Sequence, residues 1–223
     1  ALHHRPWGDG DGLSRPTPWR TPLREVGRDQ VDARAPRGGS ELRQHVHGRG
    51  APRGRDAAPQ RVQVDLGVSI PFLGEKMLIA AHSKKRSVLA PGHILVPSGK
   101  HTGMAVAGVL KSRARIAVTE HTKYYSDKLG HEFGRISLRD PRSRWGSCST
   151  EGNLMFSWRL VLAPAKVLEY VVAHEVAHLA EMNHSEAFWQ TVKNLMPEYK
   201  QYRDWLKQNG AVLHRLDFKH GLT

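Results

Sequence analysis

The sequence predicts an α+β domain, in which a small mixed or antiparallel sheet packs against one histidine-bearing helix and further helices. Three observations carry that expectation. Short apolar stretches separated by turn residues fill the region just after residue 61, one long stretch with helical spacing interrupts them, and helical spacing dominates towards the C-terminal end. The domain is expected to span residues 62–219, a length able to bury its own core. Residues 1–61 differ sharply. They hold twelve Arg, no Lys and seven acidic residues, are dense in Gly and Pro, and have few Ile, Leu, Val or Phe. Such a segment cannot bury enough apolar surface to offset its chain entropy, so a disordered tail is expected there.

Within the domain, "RVQVDLGVSIPF", "KMLIAAH" and "RSVLAPGHILVPSG" read as short strands, with Pro91-Gly92 as a turn. "GMAVAGVLKSRARIAVTEHTKYYSDKLG" reads as a long helix. Its inner face is Leu110, Ala114, Ala117, His121, Tyr125 and Leu129, and Gly130 suits the C-cap. "FGRISLRD" alternates and is closed by Asp140-Pro141; "NLMFSWRLVL" is more apolar and reads as a buried strand. A helix with Pro164 in its first turn keeps apolar spacing from Val167 to Leu179. Two more helices follow, from Ser185 to Leu195 and from Pro197 to Asn209, with Gly210 as the expected stop.

The net charge of +13 raises nucleic acid as a partner, but the excess is spread along the chain without a block of like charges. No apolar run is long enough to span a bilayer, and the first residues lack the apolar core of a signal peptide. With one cysteine, Cys148, no intrachain disulfide forms, which points to a reducing cytoplasmic compartment.

The chemistry concentrates in "YVVAHEVAHLAEMNHSEAFW". His174 and His178 are four residues apart, so on a helix they stack on one face and can reach one ion. Glu175 is rotated by about 100° from His174, which suits a general base acting on a metal-activated water rather than a third ligand. His184 follows after five residues and is the expected third ligand of a zinc site that keeps one position open. Glu186 or Glu198 is the alternative for that place. The Glu181-Met182-Asn183 segment must end or bend the helix, with Asn183 able to take a left-handed conformation, and Ser185 suits the N-cap of the next helix.

"RDPRSRWGSCST", "NLMFSWRLVLAP", "YVVAHEVAHL", "NHSEAFW" and "MPEYKQYRDWLKQNG" occur in that order and resemble the YgjP-like metallopeptidase domain, related to the WLM and SprT-like zincins. The resemblance is strong from about Arg135 to Gly210 and weaker back to about Val62. It implies a minimal zincin with zinc on His174, His178 and His184, Glu175 as the base, and the Arg144–Ser149 segment beside the histidine helix. Metzincins share the spacing of the three histidines but have Gly where this chain has Glu181.

Arg144 is the substrate-binding candidate in "RWGSCS", for a carbonyl or an anion, with a plain ion pair as its equal alternative. Trp145, Cys148, Phe188, Trp189 and Tyr170 are expected to pack in the core, and Gly146 to allow a tight backbone approach. A peptide or protein is the expected substrate, held along a strand edge such as that of Leu154–Leu162. Two rivals stand beside it. One is a phosphoanhydride hydrolase using the same water, with Arg135, Arg139, Arg142 and Arg144 on the phosphates, although no Gly-rich phosphate loop is present. The other is a DNA-associated adaptor with structural zinc and a nucleic-acid-binding tail; a single Cys and the adjacent Glu argue against it.

Overall fold

A computed structural model describes residues 60–99 and 101–219. Apart from Gln60 and Arg61, the segment expected to form a disordered tail lies outside the described residues. The architecture is α+β, with strands and helices in the order the sequence suggests.

The first strands are β1 (Val62–Gln63), β2 (Ser69–Phe72), β3 (Glu75–His82), β4 (Val88–Ala90) and β5 (His93–Pro97). β2 to β5 form a four-stranded mixed sheet in the order β2-β3-β5-β4, with β3 and β5 parallel. Met77, Ile79, Ile94 and Val96 alternate along β3 and β5 and are buried, as period-two patterning dictates for a sheet with one covered face. The expected turn at Pro91-Gly92 is present, and Gly92 supplies its positive φ of 67°.

Helix α1 (Thr102–Leu129) covers this sheet. Leu110, Ala114, Ala117, His121 and Tyr125 are buried, and Gly130 ends the helix at φ 73°. From α1 the Tyr125 hydroxyl donates to Glu169 at 2.6 Å across the interface with helix α2 (Ala165–Ala177). Lys166 Nζ donates to the other oxygen of Glu169 at 2.6 Å. Burial raises the Glu169 pKa, but these two hydrogen bonds and the charge on His121 outweigh it and hold the carboxyl below its usual range. The two helices are thereby locked in register by a charge-assisted polar pair inside an apolar interface.

The second half supplies β6 (Ile136–Arg139), β7 (Gly146–Cys148) and β8 (Leu154–Ser157), in the order β6-β8-β7. β8 is therefore the central strand, paired parallel to β6 and antiparallel to β7. The expected long strand "NLMFSWRLVL" stops at Ser157 and continues as a 3-10 turn, Trp158–Leu162. An apolar run buried on every side has no period to separate strand from helix. Arg159 anchors that turn by donating to Asp140 at 2.7 and 3.2 Å and to the carbonyls of Leu213 and Leu216 at 3.0 and 2.9 Å.

The start of α2 is fixed by the β2–β3 hairpin. Leu73 sits at φ 52°; its N–H donates to Val161 at 2.7 Å and its carbonyl accepts from Ala165 at 3.3 Å. A left-handed leucine is costly, and these two bonds hold it beside Pro164.

Helices α3 (Glu186–Leu195) and α4 (Tyr199–Leu213) complete the layer, and β9 (Leu216–Asp217) pairs with β1. Gly210 is not a stop: α4 runs through it to Leu213. A Cβ at 210 would lie 3.0 Å from Cζ2 of Trp145. Here glycine serves close packing of the indole on the helix rather than chain reversal.

Candidate metal centre

Helix α2 delivers His174 and Glu175, and His178 is its C-cap. Helical spacing was expected through to Leu179, yet the last turn unwinds earlier: the N–H groups of Leu179, Ala180 and Glu181 fold back on Val176 and Ala177. That reversal brings the Glu181 carbonyl to His178 Nδ1 at 2.9 Å. With Nδ1 donating to the carbonyl, the ring is oriented and Nε2 is the nitrogen that a metal ion could take. Asn183 does not adopt the left-handed conformation, since Leu73 is the only non-glycine with positive φ among the described residues. Its Oδ1 accepts from Ser185 N–H at 3.2 Å, and Ser185 Oγ accepts from Phe188 N–H at 3.3 Å. Two consecutive side-chain caps make the turn and start α3.

The result is convergence. One ring nitrogen from each of His174, His178 and His184 lies within 4.8 Å of the others. Nε2 of His174 and Nε2 of His184 are 3.1 Å apart. Two ligands on one tetrahedral ion, each about 2.0–2.1 Å from it, would be separated by about 3.3 Å. That pair matches a zinc-type ion, three imidazoles are a donor set such an ion takes, and burial suits the chemistry too: His178 is buried, His174 half-buried and His184 exposed, so the cluster opens to solvent on one side. Burial, with the neighbouring His178 and His184, pushes His174 down to about 3, leaving it neutral as a ligand must be. Burial also lowers His178. The third corner is His184; Glu186 and Glu198 are not part of this cluster.

Phe188 holds the three rings together. It is fully buried, with ring centroids 4.4 Å from His178, 4.8 Å from His184 and 4.9 Å from His174. Trp189 stacks on His184 at 5.7 Å.

Glu175 lies against β7, about 100° round α2 from His174. A Cβ on Gly146 would lie 2.5 Å from both Cγ and Oε1 of Glu175. The carboxyl keeps its place because position 146 has no side chain. It is buried, and that burial pushes its pKa up to about 8, with Arg144 pulling the other way.

The YgjP-like, metallopeptidase domain family model matches residues 43–209. The chain belongs to this family. Among curated proteins, "UTP pyrophosphatase" of Escherichia coli (strain K12) is 42% identical over 50 residues, which is 21% of this chain and 30% of that protein. The chain thus aligns with under a third of that relative's length. Among solved structures, the metallopeptidase zymogen of Pyrococcus abyssi abylysin is similar at 21% identity over 41% of this chain and 93% of that one, with a TM-score of 0.39. The corresponding zymogen of Methanocaldococcus jannaschii jannalysin gives 18%, 41%, 95% and 0.37. Wss1 from Saccharomyces cerevisiae gives 15%, 44%, 80% and 0.35.

In this YgjP-like domain the "RWGSCS" segment divides its duties. Gly146 accommodates Glu175, and Arg144 is exposed with its charge felt at that carboxyl. Trp145 packs on α4, stacked on His214 at 4.7 Å. Cys148 is half-buried; burial and the charge on Glu175 push its thiol up to about 11, so it stays protonated and inert. Tyr170 is buried as expected, 5.9 Å from the His174 ring and stacked on Tyr199 at 6.4 Å. The four arginines offered for phosphates do not gather on one site. Arg139 and Arg142 line two hollows away from the histidines, and of the four it is Arg144 that bears on Glu175.

Sequence reasoning missed Arg203. Its guanidinium lies 4.4 Å over the Trp189 ring, and its charge reaches both His174 and Tyr170. One exposed-looking arginine in "EYKQYRDW" carries no spacing signal; only tertiary packing puts it at the rim.

Proposed function

We propose that this metallopeptidase-family domain is a zinc-dependent peptidase of the cytoplasm, with His174, His178 and His184 as ligands and Glu175 as general base. The observation that carries the reading is the convergence of three imidazole nitrogens beside a buried carboxylate that has its own cleared space. Bound there, zinc would supply a water of pKa about 7 and a Lewis acid for the attacked carbonyl. The chain's own groups do the rest. His178, tethered through Nδ1 to Glu181, and His174, wedged against Phe188, hold their ring planes without reorganisation. Glu175 takes the proton of the attacking water at a carboxylate oxygen and returns it to the leaving amine. Its burial raises its basicity, Arg144 opposes that rise, and a cation bound in the histidine cluster would favour the ionised form further.

An extended peptide is proposed to lie along β7 rather than β8. The expected edge at Leu154–Leu162 is enclosed, because β8 has partners on both sides. β7 has one free side. Ser157 N–H donates to the Trp145 carbonyl and Ser149 N–H to the Asn153 carbonyl. By antiparallel alternation the main-chain groups of Gly146 and Cys148 then face the open side, next to Glu175.

A second reading is favoured by the 50-residue similarity to a protein named UTP pyrophosphatase. The same base and ion would act on a phosphoanhydride, with Arg144 meeting a phosphate. Zinc-loaded protein is to be assayed in parallel for casein cleavage and for release of phosphate or pyrophosphate from nucleoside triphosphates. Peptide cleavage without phosphate release is expected; the reverse pattern replaces the first reading with the second. A nucleic-acid role for the Arg-rich 1–61 segment falls outside the described residues. No helix among those residues is long and apolar enough to cross a membrane.

A further inference from the structure

A hollow of about 330 Å³ has walls from α1, the segment after β6, the 3-10 turn, the end of α4 and the β1–β9 pair. Five cationic side chains line it: Arg61, Lys111, Arg142, Arg159 and Lys219. Two carboxylates, Asp140 and Asp217, oppose them. Asp140 is fully engaged by Arg159 at 2.7 and 3.2 Å. Asp217 accepts from Arg61 at 3.4 Å and from the Lys219 main-chain N–H at 2.9 Å. The side chains of Lys111, Arg142 and Lys219 have no carboxylate partner among the described residues.

We infer that this hollow binds a multiply charged phosphate group, as pyrophosphate or a phosphate ester, at a site separate from the histidine cluster. The concave shape decides against a merely solvated basic face, since charges on a convex surface splay apart into water while these face a common space. One wall is rigid: Arg159 is fixed by four hydrogen bonds and lies against the edge-to-face pair of Trp158, at 4.9 Å, and Phe218, at 5.3 Å. Among the described lining residues, five cations against two acids leave an excess of three, which a phosphate dianion or pyrophosphate matches better than a single carboxylate does. His214, also in the wall, is held below its usual range by burial, Arg159 and Arg142, so it contributes a neutral hydrogen-bonding ring. A neighbouring hollow of about 490 Å³ shares Lys111 and Asp140 and has Ile116, Leu138 and Trp158 on its floor, giving room for the organic part of an ester. The site shares no lining residue with the zinc triad. One of its lining residues, His214, stacks at 4.7 Å on Trp145, the residue before the Gly146 that abuts Glu175.

The test is calorimetric titration of the zinc-loaded full chain with inorganic pyrophosphate, comparing wild type, Lys111→Ala/Arg142→Ala, Lys219→Ala and His184→Ala. All four positions are exposed, and thermal midpoints report whether each variant stays folded. Pyrophosphate is expected to bind the wild type and His184→Ala alike, and to bind the double variant about tenfold or more weakly, with Lys219→Ala weakened in the same direction. Zinc content and hydrolysis are expected to be unchanged in the double variant and in Lys219→Ala. Equal affinity for wild type and the double variant, loss of binding in His184→Ala, or absence of binding would each overturn the inference. Binding of a single-stranded oligonucleotide but not of pyrophosphate would overturn it in favour of a nucleic-acid surface.

Discussion

Glu175→Gln is expected to retain zinc at one ion per chain and to lose about 10²- to 10⁴-fold in turnover, the usual contribution of a positioned general base. The substitution keeps size and shape, so the space cleared by Gly146 is still filled, and the three histidines, of which Glu175 is not one, keep their positions. Only the capacity to take a proton disappears. Because the amide is uncharged, its burial is no more costly than that of the carboxylate, and folding stability should hold or rise slightly. The check is metal analysis and turnover on the same preparation. Undiminished hydrolysis would remove Glu175 from the role of base, and loss of zinc would show that the carboxylate is needed for the ion rather than for the proton.

Phe188→Ala is expected to cost about 3–5 kcal/mol, the typical range for removing a fully buried phenyl ring from a packed core. For a domain of this size each kcal/mol lowers the midpoint by about 2–4 °C, so a fall of about 10 °C is expected in a thermal melt. The effect should reach the metal as well. Phe188 contacts all three imidazole rings, and without it they lose the surface that fixes their planes. Zinc affinity should therefore fall with stability, whereas Phe188→Leu should recover much of the stability and less of the affinity. Unchanged zinc affinity in a destabilised Phe188→Ala protein would make this ring a core residue with no part in the site.

The histidine cluster was legible because its determinants are local. The i, i+4 pair needs only a helix, the third histidine only a short turn, and Ser185 is an N-cap by chemistry alone. The long α1 was equally plain, since Leu110 to Tyr125 repeat at helical spacing. What escaped depends on residues far apart in the chain. Gly210 looked like a helix stop because nothing nearby in sequence reveals that Trp145 packs against it. The strand from Leu154 was read too long because Trp158–Leu162 is buried all round and carries no period. The open strand edge was assigned to β8 because the pairing order β6-β8-β7 cannot be read from three short apolar segments. Arg203 was invisible for the same reason: its place over Trp189 arises where two helices meet.

The central claim is that one divalent ion sits among the side chains of His174, His178 and His184. X-ray absorption spectroscopy on the zinc-loaded full chain measures this directly. The account predicts one zinc per chain with three histidine nitrogens at about 2.0–2.1 Å and one oxygen from solvent, and loss of one nitrogen scatterer or of the metal when any of the three is changed to Ala. A zinc site with sulfur ligation, or one whose spectrum is the same in His174→Ala, His178→Ala and His184→Ala, would contradict it.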